Sequence, residues 1–147
     1  MPSIHPPPTP SGAAIVSQRI HRFFMSFPIV CFTLALLTDI AYWRTSFLMW
    51  YDFSAWLLFA GLVGGVIAVL AGLVGLVFGA RMPWLYWLGL LIAFALAIVN
   101  SLVHSRDGWT AVVPTGLALS VATVVVVLAA AWIGRLPVSV GGLPRHA

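Results

Sequence analysis

Four apolar runs, separated by short polar islands, set the organisation of this chain. They cover about Phe23–Ile40, Phe53–Phe78, Trp84–Val103 and Thr110–Ile133. Each is long enough to cross a hydrocarbon core of about 30 Å as a helix. None alternates in the segments of about ten residues that a membrane barrel requires. Short links between long helices make chain neighbours run in opposite directions. The pattern therefore predicts an all-α integral membrane protein, an antiparallel four-transmembrane-helix bundle over residues 19–135. Residues 1–18, with Pro6-Pro7-Pro8-Thr9-Pro10, read as an extended tail that includes a solvated His5, and residues 136–147 as a second Gly/Pro tail.

Details within the runs refine this. Arg19, His21 and Arg22 precede the first run, the order of a secretory signal, but no small-x-small cleavage site follows, so the run reads as a retained span. Pro28 falls near its first turn, where a missing N–H matters least. In the second run, Gly61, Gly65, Ala68, Gly72 and Gly75 lie in steps of four and three, a stripe on which another helix can approach closely. The third run opens with a belt of Trp84, Tyr86 and Trp87 after the turn Ala80–Pro83. It carries Gly89, Ala93, Ala97 and Asn100 towards His104, with Asn100 and His104 one turn apart on one face. Asp107 is placed to cap the fourth helix, which Pro114 starts or kinks and in which Gly116, Ser120 and Thr123 make a small polar seam.

Composition removes the soluble alternative: 62% of residues are hydrophobic and 7% charged, against about 45–50% and about 25% in soluble domains. The net charge of +4 comes from seven arginines against three aspartates. They flank the runs singly or in pairs, which fits topology and lipid contact, and no basic cluster serves nucleic acid. With both termini in the cytoplasm, Arg19, Arg22, Arg81, Arg135 and Arg145 lie inside, and Arg44 and Arg106 outside, as the positive-inside rule asks. Asp39, Asp52 and Asp107 then share the outer face, and the inner face carries almost no candidate chemistry. The lone Cys31 excludes an internal disulfide and, as part of an apolar run, reads as a packing residue. No residue pattern matches a metal site, phosphate loop or catalytic triad.

The outer face holds the candidate site: Asp39, Tyr42, Trp43, Arg44, Trp50, Trp56, Asn100, His104, Arg106, Asp107 and Trp109. A carboxylate at the end of a span needs a partner. One reading is an Asp39–arginine clamp between helix ends, with Arg44 or Arg106. The other is a small-ligand pocket with aromatic walls and a few polar groups. A quinone head suits the second: it is flat, its carbonyls need donors such as His104 or Arg106, and its reduction takes up protons that Asp39 and His104 can relay. Haem in such bundles takes histidine ligands, and His21 and His104 fall on opposite sides, which argues against a two-histidine haem.

Three motifs carry a family resemblance: Asp-Ile-Ala-Tyr-Trp-Arg-Thr at 39–45, Trp-x-x-Phe-Ser-x-Trp from Trp50 to Trp56, and Asn-x-x-Val-His-x-x-Asp-x-Trp from Asn100 to Trp109. With His21 and Ser26-Phe27-Pro28, they resemble the bacterial membrane family of domain of unknown function 2231 over about residues 19–135. The chain departs from that family's pattern where His-Pro reads His21-Arg22, where a second histidine reads Ser26, and around Trp87, where a third-span histidine is common. The resemblance implies four inner-membrane spans. For the subgroup sharing these motifs it implies a periplasmic partner, a pyrroloquinoline-quinone dehydrogenase similar to sorbosone dehydrogenase, with ubiquinone as acceptor. The chain is then an accessory subunit rather than an enzyme by itself. The competing readings are a structural docking protein and a small oligomeric transporter or channel. For the latter, Thr33, Ser120 and Thr123 are thin polar content at mid-membrane.

Overall fold

The computed structural model describes residues 11–106 and 112–135. It contains four helices: α1 (Gly12–Thr45), α2 (Leu48–Val77), α3 (Trp84–His104) and α4 (Leu117–Ile133). There is no strand among the described residues. All four spans, the last counted from Val113, are long and apolar enough to cross a membrane. α1 lies along α2 and α3 along α4, and contacts between α1 and α4 and between α2 and α3 close the ring.

The outward surface is hydrocarbon. Phe59, Leu70, Leu91 and Val125 are each more than half exposed, and a surface of this kind is stable only against lipid. Lipid gives helices no hydrophobic reason to associate, so packing and hydrogen bonds must hold them together. The buried stripe of α1 runs through Ala14, Ser17, His21, Met25, Pro28, Phe32, Ala35 and Asp39. It meets the stripe of Gly61, Gly65, Ala68, Gly72 and Gly75 on α2, all buried as their spacing predicts. Rings fill the room the glycines leave. A Cβ at Gly61 would come within 2.5 Å of Phe32, and one at Gly65 would overlap the Phe94 ring. At Gly72 it would meet Trp87 at 2.7 Å and His21 at 2.8 Å.

Three boundaries differ from the sequence reading. α1 starts at Gly12, so residues 12–18 are helix rather than tail; residues 1–10 lie outside the described residues. The Ser11 side chain accepts from the Ala14 N–H at 3.2 Å, and Ala14 and Ser17 extend the stripe, Ser17 donating to the Ala71 carbonyl at 2.5 Å. Pro28 consequently sits well inside the helix, buried on the seam with α2; packed transmembrane helices tolerate such a proline. Between α1 and α2 the loop shrinks to Ser46 and Phe47, where Ser46 turns left-handed (φ 57°) and its N–H closes on the Tyr42 carbonyl at 2.7 Å. Trp50, Tyr51 and Asp52 are therefore helical. Ahead of α4, Val113 is extended (φ −119°, ψ 122°), the conformation a following proline imposes.

Candidate functional site

Two buried polar clusters lie on α1, at His21 and at Asp39. Eighteen residues of helix separate them, about 27 Å at 1.5 Å per residue, close to the thickness of a hydrocarbon core. α3 repeats the interval with Tyr86 and His104, and each pairs with its counterpart on α1. Each cluster therefore sits at one edge of the apolar layer.

At the Asp39 end, His104 Nε2 lies 3.0 Å from Asp39 Oδ1. Ser120 Oγ donates to Asp39 Oδ2 at 2.5 Å and accepts from Asn100 Nδ2 at 2.8 Å. His104 Nδ1 lies 2.9 Å from the Asn100 carbonyl. Asp39 and Asn100 are 0% exposed and His104 2%. Three helices thus contribute: α1 the carboxylate, α3 the imidazole and amide, α4 the hydroxyl. The proton count follows from the geometry. A backbone carbonyl only accepts, so His104 Nδ1 carries a hydrogen. Nε2 then faces a carboxylate oxygen, and a bond forms only if a further proton lies between them, on Nε2 or on Oδ1. The contacts suit either an imidazolium facing a carboxylate or a neutral imidazole facing a carboxylic acid. Asn100 Oδ1 is a buried acceptor with no partner among the described residues.

Tyr51 roofs this cluster. Its ring stacks on His104 at 5.8 Å and 14°, and its hydroxyl donates to the His104 carbonyl. Tyr42 lies 6.3 Å from Tyr51. Beside it, Thr38 and Ser54 join α1 to α2 at 2.7 Å.

The other residues picked out from the sequence are distributed differently. Asp39, Asn100 and His104 converge, with Tyr42 at their rim. The group that meets Asp39 is His104, not Arg44 or Arg106, so the arginine clamp is not formed among the described residues. Arg44 instead stands 5.7 Å over the Trp43 ring, and Arg106 is exposed. Trp43 and Trp56 are 56% and 71% exposed and face outward, while Trp50 packs against Phe53 at 6.2 Å. Asp107 and Trp109 lie outside the described residues. Sequence reasoning missed Tyr51, and it left Ser120 in a seam of its own rather than on Asp39.

It also missed the His21 end, which is not bare. His21 is 1% exposed. Its Nδ1 lies 2.6 Å from the Ala68 carbonyl and its Nε2 2.6 Å from the Tyr86 hydroxyl. A neutral imidazole satisfies both, donating from Nδ1 and accepting at Nε2, so this cluster needs no extra proton. Tyr86 and Trp87 thus turn inward onto His21, and only Trp84 of the expected aromatic belt faces out, at 70% exposure. The signal was present: 21, 25, 28, 32, 35 and 39 step by four and three along one face.

The family model described as predicted membrane protein (DUF2231) matches residues 17–144. The chain belongs to this family. The DUF2231 match takes in all four helices except the first turns of α1, and both polar clusters. No curated protein and no solved structure gives a significant match.

Proposed function

We propose that this DUF2231 protein is a multi-pass subunit of the bacterial inner membrane, an antiparallel bundle with both termini cytoplasmic. In this reading it anchors a periplasmic pyrroloquinoline-quinone dehydrogenase and passes its electrons to ubiquinone at the outer face. The observation that supports it is the buried Asp39–His104 pair, with Nε2 3.0 Å from Oδ1. An ionisable pair at the edge of an apolar layer is costly, and such groups commonly mark proton or substrate paths.

The donors and acceptors of this cluster are of the kind a quinone head requires. Ubiquinone, when bound, supplies two-electron, two-proton redox chemistry. Asp39 and His104 hold a proton between Oδ1 and Nε2 and pass it on. Ser120 fixes the carboxylate through its second oxygen. Asn100 Oδ1, which has no partner among the described residues, would accept a hydrogen bond from a hydroxyl of the bound group. Tyr51 covers the His104 ring and shields it from water. Trp43, Trp50 and Trp56, with Arg44, hold this end at the interface, where indole rings settle.

The test is purification of the tagged protein in mild detergent, followed by mass spectrometry of co-purifying proteins and lipid-soluble molecules. A periplasmic dehydrogenase with ubiquinone is the expected result. The bare chain with ordinary lipids refutes the reading. A purely structural module is favoured by one observation, that both Asp39 oxygens are bonded and buried. On that reading a stable complex is recovered without quinone.

A further inference from the structure

We propose that the cleft at the His21 end binds a phosphate-bearing anion, either the headgroup of an anionic lipid or free phosphate. The cleft has a volume of about 610 Å³ and opens between α1, the α2–α3 turn and the end of α4. Each of these segments contributes one arginine to its lining: Arg22, Arg81 and Arg135. The acidic groups among the described residues, Asp39 and Asp52, are at the other end of the helices. The one ion pair among the described residues is Asp39–His104. Three guanidiniums therefore share a cleft whose lining, among the described residues, holds no carboxylate.

Guanidinium is the side chain best matched to phosphate oxygens, through its planar fork of donors. The floor is already satisfied, since His21 and Tyr86 bond each other, which leaves the arginine rim to hold the anion. Met25 and Ile29 form an apolar wall leading from that rim along α1 into the membrane, the path an acyl chain needs. The site lies at one edge of the apolar layer, where headgroup phosphates sit. It stands independently of the reading of the Asp39 end.

The experiment titrates the delipidated full chain in neutral detergent and reads binding by native mass spectrometry. The probes are short-chain phosphatidylglycerol, phosphatidylcholine of equal chain length, and inorganic phosphate. One phosphatidylglycerol per chain is expected to bind in preference to phosphatidylcholine. Each of Arg22→Gln, Arg81→Gln and Arg135→Gln weakens it about five-fold, the factor for one arginine at an anionic surface. Arg19→Gln removes an equal charge from an exposed position outside the lining and leaves binding unchanged. Ala131→Trp fills the cleft without touching a charge and abolishes binding. Displacement of the lipid by inorganic phosphate assigns the site to free phosphate, and failure to displace assigns it to the headgroup. Equal affinity for phosphatidylcholine, or equal weakening by Arg19→Gln, overturns the proposal in favour of diffuse surface attraction.

Discussion

Ser120→Ala is the sharpest probe of the buried network. It deletes one oxygen and no carbon, so it leaves almost no cavity. Ser120 is 1% exposed, and no bulk water stands by to replace the hydroxyl. Two bonds go together: donation to Asp39 Oδ2 at 2.5 Å and acceptance from Asn100 Nδ2 at 2.8 Å. A hydrogen bond to a charged group contributes about 1.5–3 kcal/mol, and a stranded buried polar group costs about 1–3 kcal/mol. Measured interhelical bonds in membranes average only about 0.6 kcal/mol, because separated helices find other partners in lipid. The double loss here, one half of it to a carboxylate, places the expected destabilisation at about 2–4 kcal/mol. Thr123→Val is the control. Thr123 is as buried, but its hydroxyl bonds the Leu119 carbonyl of its own helix at 2.8 Å, a bond that survives helix separation. The assay is reversible unfolding in mixed micelles, followed by tryptophan fluorescence. If Ser120→Ala costs no more than Thr123→Val, the network does not hold α4 to α1 and the reasoning fails.

Other outcomes follow from the same contacts. Gly65→Val, which forces a side chain into the Phe94 ring, should cost about 1–3 kcal/mol by overpacking, whereas Gly12→Ala, with open space around it, should be neutral or slightly stabilising in the same assay. Ser11→Ala should lose about 1 kcal/mol of local helix stability and speed hydrogen exchange over residues 12–18 without altering that of α3. His21→Phe should strand the Tyr86 hydroxyl and remove the link from α1 to the Ala68 carbonyl, which keeps its bond within α2, lowering resistance to denaturing detergent by about 1–3 kcal/mol; Tyr86→Phe should cost less, because the His21–Ala68 bond remains.

The four spans were legible because hydrophobicity is a property of each segment alone. The α2 glycine stripe and the shared face of Asn100 and His104 were legible because they depend only on helical spacing. The partner of Asp39 was not. Arg44 and Arg106 are nearer to the island in sequence or charge, but a buried carboxylate takes the group that burial has already desolvated, and His104 points inward from α3 while the arginines point out. Ser120 is 81 residues from Asp39, and no local pattern joins them. The early start of α1 was hidden by its Pro-rich preface. Helix there depends on Ser11 as a cap and on Ser17 reaching α2, and the second of these is tertiary. Trp43 and Trp56 were read as pocket walls from their nearness in sequence to Asp39; helical geometry turns them to the lipid side.

The proposal that the Asp39–His104 pair carries protons for quinone turnover is tested most directly by Asp39→Asn, measured as the ubiquinone reduction rate of membranes containing the chain with the proposed dehydrogenase. The amide keeps the shape and can still bond Ser120 and His104, but it cannot act as a proton donor or acceptor in acid–base exchange. The account predicts a fall of about a hundred-fold or more, the lower range for loss of an acid–base group, with the amount of assembled complex unchanged. An undiminished rate in fully assembled complex would contradict it.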